Sequence, residues 1–299
     1  MRSLRLGTIV VILGAMTFLL MPLQVLATRR GWPLAARLPW YWQRVARRVI
    51  GLRVEVVGAP AQPPLLIAAN HLSWLDITLL GSVLPVSFIA KAEVAGWPVL
   101  GTLARLQRTV FIDRTRRAET ARAAEAIARR VGDGDVMVLF AEGTTGDAAR
   151  VLPFRSALIG AAAVAAGSSS ITVQPVALAY TRIRGLPTGY ADRPRLAWYG
   201  DMEFLPHFRH VVDLGAIDAV VAFGEPIVLG PDHDRKQVAE ACFSAVRRMV
   251  ETARGGAASP NGHPDPVFSP AAKGAKGTET SGAVAGIAAT GREITNRVS

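Results

Sequence analysis

The chain reads as an α/β protein, a central mixed sheet flanked by helices, behind an N-terminal membrane helix and an interfacial helix. Three observations carry this. From residue 51 to residue 253 short β-rich runs alternate with helical stretches, a rhythm that builds a mostly buried sheet. Residues 8–27, TIVVILGAMTFLLMPLQVLA, hold no charge, and at about 1.5 Å per helical residue they reach roughly 30 Å, a bilayer core. Arginines crowd around that apolar run.

Taken in order, Arg2 and Arg5 precede the apolar run, and Arg29, Arg30, Arg37, Arg44, Arg47 and Arg48 follow it. Basic residues favour the cytoplasmic side, which puts the main domain there with the basic run against anionic headgroups. A cleaved signal peptide and a monotopic insertion are the alternatives. Residues 34–50, LAARLPWYWQRVARRVI, set Trp40, Tyr41 and Trp42 among arginines, the composition of a helix at the lipid interface. Packing of Trp40 and Trp42 on the domain is the other reading. Residues 1–50 therefore form a membrane anchor with a basic interfacial helix.

Within the domain at 51–253, LRVEVVG, PLLIAA, VSFIAK, RTVFI, DVMVLF, ITVQPVALAY and AVVAFG read as strands. Helices are expected near 74–82, 93–106, 116–131, 154–166 and 235–252. The GDGD at 132–135 is a turn between helix and strand. Residues 254–299 hold too few large apolar side chains to bury themselves and read as a disordered tail.

Charge and cysteine usage exclude some functions. The net charge of +11 raises nucleic acid as a partner, but residues 1–60 hold nine Arg against one Glu, whereas 61–253 hold twenty basic against nineteen acidic residues. A near-neutral main domain argues against nucleic acid and for a membrane surface. The single Cys242 excludes an intramolecular disulfide and a cysteine-rich metal site. His207 and His210 share a spacing that permits one helix face, but no further ligands accompany them, so no metal is expected. The arginines of 116–131 form a solvated face first and a docking surface for an acidic carrier protein second.

Chemistry concentrates in LLIAANHLSWLDIT, residues 65–78. His71 follows Asn70 where a buried strand meets a helix, and strand ends commonly open onto a site. A spacing of five lets Asp76 curl back to one imidazole nitrogen, leaving the other free to take a proton. A core histidine with Asp76 as a helix cap is the bland alternative. No GxSxG elbow occurs, and Ser73 is too close in sequence to be presumed a nucleophile, so the base would act on a hydroxyl or water brought from outside. A second polar cluster, Glu142-Gly143-Thr144-Thr145-Gly146, ends a strand and leads through Pro153 to Arg155. Glycine-punctuated loops of this kind let backbone amides approach a substrate, and Glu142 reads equally as a buried hydrogen-bonded acid.

Read together, these residues reach a family. NHLSWLD resembles the HxxxxD block of the glycerolipid, or lysophosphatidic acid, acyltransferases. AKAEVAGWPVLG at 90–101 resembles the lysine and proline-glycine block, VFIDR at 110–114 the arginine block, FAEGTTGD the EGT block and VQPVALAY the apolar proline strand. The resemblance covers about residues 50–230. It implies a glycerolipid-acyltransferase-like fold in the inner membrane of a bacterium, and acyl transfer from an acyl-carrier-protein or coenzyme A thioester to a lysolipid hydroxyl. That chemistry uses no cofactor beyond the donor; membrane lipids and acyl carrier protein are the partners. His71 would act as base and Asp76 would orient it. Asn70, Lys91, Arg114, Glu142, Gly143, Thr144, Thr145 and Arg155 would bind substrate.

One departure matters: where the family pattern has an arginine after Gly143-Thr144, this chain has Thr145. A hydroxyl replaces a bidentate guanidinium poorly, so a phosphate-free headgroup is expected. EGTTGDAARVLPFRSAL, with LAWYGDM at 196–202, is similar to the bacterial lyso-ornithine lipid acyltransferases. Because Arg155 could contact a phosphate, lysophosphatidic acid stays open as acceptor, as does a bifunctional enzyme. A membrane-bound thioester hydrolase and a non-catalytic lipid-binding protein are the more distant alternatives.

Overall fold

In the computed structural model of the chain, residues 2–113, 117–157, 159–160, 171–230 and 234–255 are described. Arg114, residues 158 and 161–166 of the helix expected at 154–166, and nearly all of the tail expected at 254–299 lie outside them. The compact unit spanning Met1–Pro266 includes the first fifty residues, which pack as part of it and do not form a separate body.

Helices α1 (Arg2–Arg29) and α2 (Leu34–Ile50) come first. Strands β1 (Leu52–Val57) and β2 (Leu65–Ala69) precede α3 (Leu75–Val83) and β3 (Val86–Lys91). The helix expected at 93–106 is broken at Pro98 into a 3-10 turn (Ala92–Gly96) and α4 (Leu100–Leu106). After β4 (Val110–Ile112), α5 (Arg117–Gly132) and β5 (Val136–Phe140) comes the long β6 (Ile171–Ile183). β7 (Leu186–Pro187), α6 (Phe204–Leu214), β8 (Ile217–Phe223), β9 (Ile227–Leu229) and α7 (Arg235–Arg254) complete the unit. The sequence did not predict α6, whose Pro206 sits in a first turn that tolerates proline, nor the very short β7 and β9.

The sheet runs β1-β8-β6-β2-β5-β3-β4, with β7 and β9 also on β6. Pairs β2 with β5, β2 with β6, β3 with β5 and β3 with β4 are parallel, while β6 with β8 is antiparallel, so the sheet is mixed. Its two faces are both covered. Leu65, Ile67 and Ala69 of β2 join one core with α3 and α6, and Leu66 and Ala68 join the other with α5 and α7. That period of two explains why all five residues of β2 are buried.

Helix α1 is docked along one side. Ile9, Gln24 and Ala27 are buried on it. Near its start Arg5 donates to the carbonyls of Val212 and Ile50, at 2.7 and 2.8 Å. Near its end Gln24 Nε2 donates to the carbonyls of Ala35 and Leu106. Leu4, Val11, Phe18 and Leu19 on the other side are each about 70% exposed or more. Trp40 and Trp42 are half-buried against protein: their indole N–H groups donate to the Ser82 carbonyl and to Thr17 Oγ1. Trp32 and Tyr41 stay exposed.

Candidate active site

Parallel register brings the carboxyl ends of β2, β5 and β3 to one edge. Ala69 is level with Phe140, and Ile89 with Leu139. The next residues on each strand therefore share that edge: Asn70 and His71, then Ala141 and Glu142, then Lys91. Chain direction, and not sequence proximity, assembles the site.

Asn70 lets the chain turn away from the sheet. Its side-chain amide donates to the Leu178 carbonyl at 3.0 Å and its oxygen accepts from the Leu178 N–H at 2.8 Å. The amide thus continues the ladder with β6 after the main chain has left it. Almost wholly buried, Asn70 spends its side-chain amide on capping the strand.

The turn that follows folds Asp76, in the first turn of α3, back on the loop before it. Asp76 Oδ2 lies 2.8 Å from His71 Nδ1 and accepts from the N–H groups of Leu72 and Ser73 at 2.6 and 2.8 Å. Its Oδ1 accepts from the Tyr180 hydroxyl at 2.6 Å. Donors thus meet both oxygens of a fully buried carboxyl. A carboxylate only accepts, so His71 Nδ1 carries the hydrogen and Nε2 is left with a free lone pair. The imidazole stacks flat on Phe140, with centroids 3.8 Å apart, and its side chain remains 19% exposed. The arrangement can take a proton at Nε2 and stabilise the resulting imidazolium.

Glu142 supports the turn from below. Oε2 accepts from the His71 N–H at 3.1 Å and Oε1 from the Leu152 N–H at 2.9 Å. Burial pushes its carboxyl up to about 8, against these two donors, which favour the charged form. Glu142 is thus a buried hydrogen-bonded acid, with both oxygens turned to main-chain donors. Gly143 adopts φ of +72°, a left-handed turn suited to glycine, and Gly146 N–H donates to the His71 carbonyl. Arg155 braces the same loop, its main-chain N–H on the Ala141 carbonyl and its Nε on the Glu142 carbonyl. Thr144 is exposed beside half-buried Thr145, and Lys91 is exposed at the end of β3. Among the described residues none of these three is hydrogen-bonded to the His71–Asp76 pair.

Several site residues were not singled out from the sequence. Tyr180 closes the shell around Asp76; a phenol in a buried strand that must find a partner is the signal that points to it. Trp74 donates to His207 Nδ1 at 3.0 Å, which takes His207 out of metal binding through that nitrogen. Burial, and then the neighbouring His210, pushes His207 down. Trp97, Trp198 and Phe204 form edge-to-face pairs, and Trp198 N–H donates to the Leu72 carbonyl, so this aromatic rim borders the base. Met202 and Leu205 beside it are exposed. Among the described residues there is no cluster of metal ligands.

With this geometry in view, the Acyltransferase family profile matches residues 53–179, from β1 into β6. A lyso-ornithine lipid O-acyltransferase of Brucella abortus is 45% identical over 257 residues, 84% of this chain and 96% of that protein. The chain belongs to the acyltransferase family. A second lyso-ornithine lipid O-acyltransferase, from Rhizobium meliloti, is 41% identical over 80% of this chain and 83% of its own length. The crystal structure of a 1-acyl-sn-glycerophosphate acyltransferase from Thermotoga maritima superimposes with a TM-score of 0.52 at 19% identity, covering 84% of this chain and 97% of that one, and so shares the fold. In this acyltransferase His71 to Asp76 form the turn from β2 into α3, and Glu142 to Gly146 the start of the loop after β5.

Proposed function

We propose that the enzyme is a membrane-bound lysolipid O-acyltransferase that moves an acyl group from a carrier-protein or coenzyme A thioester to lyso-ornithine lipid, giving ornithine lipid. The observation that carries this is the partly buried His71–Asp76 pair with Thr145 in the EGT loop. His71 Nε2 removes the acceptor's hydroxyl proton as that oxygen attacks the thioester carbonyl. The C–S bond then breaks, and the imidazolium returns the proton to the leaving thiolate. Asp76 holds the ring and offsets its transient charge, and no acyl-enzyme forms. The absence of an arginine at Thr145 favours an acceptor headgroup without phosphate.

Aromatic and exposed apolar side chains around the site suit an acceptor that stays in the bilayer. Helix α1, tied to the domain at both ends and apolar on its outer side, would lie within one leaflet on the cytoplasmic side and need not cross it. The test is acylation by the purified protein, with radiolabelled acyl thioester and either lyso-ornithine lipid or lysophosphatidic acid. Labelled ornithine lipid is expected, falling about 10²–10⁴-fold in His71→Ala. Labelled phosphatidic acid alone would overturn the acceptor; free fatty acid alone would make the enzyme a hydrolase.

A further inference from the structure

On the α7 side of the sheet, Ala149–Pro153, Arg193 and the last turns of α7 wall an open groove of about 780 Å³. Four arginines line it, Arg150, Arg193, Arg247 and Arg254, against a single carboxylate, Glu251. Glu251 is 3.9 Å from Arg247 and 69% exposed, so solvent screens most of what it offers. Arg254 donates to the carbonyls of Ala148 and Ala149. Among the described residues no carboxylate pairs with Arg150, Arg193 or Arg254. The Nε atoms of Arg193 and Arg254 are both buried without a partner. Burial and the nearby Arg193 charge push Arg254 down to about 10. Like charges and orphan donors converging on one space favour a multivalent anion there.

The groove wall is tied to the turn that carries the base. Leu152, in its wall, donates its main-chain N–H to Glu142 Oε1, and Glu142 Oε2 accepts from the main-chain N–H of His71, so one buried carboxyl links the wall to that turn. The aromatic rim meets His71 from elsewhere, since Trp74 and Phe204 pack on the α3 face whereas Val151 and Val250 belong to the α7 face. A lipid acceptor thus has an apolar approach and a polar co-substrate a basic one. Resting on the acyl-transfer reading, we propose that this groove holds the phosphate-bearing end of the acyl donor, the phosphate ester of pantetheine, while its thioester reaches His71. Carrier protein and coenzyme A both present that group.

The test compares Arg150→Gln, Arg247→Gln and their double variant with Arg53→Gln, a charge loss on a surface distant in sequence, in the full-length protein. Each groove variant is expected to raise KM for the donor about tenfold, with kcat at saturating donor within about threefold and acceptor KM unmoved. Arg53→Gln should match the wild type. A rise with both donors supports the pantetheine phosphate; a rise with acyl coenzyme A alone puts the nucleotide phosphates there instead and overturns it. An unchanged donor KM, or a rise in acceptor KM instead, overturns it. If the wild type transfers from neither donor, the acyl-transfer reading falls. Calorimetric binding of desulfo-coenzyme A and phosphopantetheine then decides the groove independently: tenfold weaker binding in the double variant supports it, and unchanged or absent wild-type binding overturns it.

Discussion

At the scale of residues, Asp76 and Glu142 are two buried carboxyls held in opposite ways. Asp76 meets N–H and O–H donors on both oxygens, whereas for Glu142 burial outweighs its two donors. A carboxyl raised from 4.5 to about 8 binds more protons folded than unfolded across that range, so the stability it lends is complete below pH 4.5 and is withdrawn as pH rises toward 8. Glu142→Gln cannot ionise. Its melting temperature should therefore lie below that of the wild type near pH 5, for the loss of one acceptor, and the gap should narrow toward pH 8; a constant gap would show that Glu142 does not titrate there. Thr145→Arg tests the acceptor at the same scale. It should move the ratio of lysophosphatidic acid to lyso-ornithine lipid turnover at least tenfold toward the phosphate, and an unchanged ratio would remove Thr145 from headgroup selection.

Among elements, α3 shows how packing serves the base. It is nine residues long, with Leu75, Leu79 and Leu80 wholly buried. Leu79→Ala should lower unfolding free energy by about 2–5 kcal/mol, as denaturant titration would measure, and reduce kcat by loosening the Asp76 turn; full stability would mean that the core closes over the gap. Strands were legible because β2, β5 and β6 are apolar runs bounded by turn residues, and the Asn70-His71 junction because polar groups interrupt such a run. The main-chain partners of Asn70, Glu142 and Arg155 were not legible, since only folding supplies them. Arg130 is a further case. Expected on a solvated face first and a docking surface second, it turns inward to Asp135, which also pairs with Arg108, and burial pushes it down.

For the whole molecule, the question is how the enzyme meets its membrane. Gly7 and Thr28 lie near opposite ends of α1, both exposed, and a Cβ added at Gly7 touches nothing within 4 Å. Because Cys242 is buried, with its thiol pushed up to about 12 by desolvation, native background should be low. Gly7→Cys and Thr28→Cys, in sealed inside-out vesicles, should both react with a membrane-impermeant maleimide; protection of Gly7→Cys alone would mean that α1 spans. The sequence by itself determined the apolar N-terminal segment, the α/β alternation, the ordered family blocks and the missing arginine at Thr145, because periodicity, charge and motif order are properties of the chain. Only the tertiary structure decided that both ends of α1 are held by one domain, that Tyr180 completes the Asp76 shell, and that four arginines share one groove. Those contacts join residues tens to hundreds of positions apart, and distance in space is set by sheet order and helix packing, which local pattern does not encode.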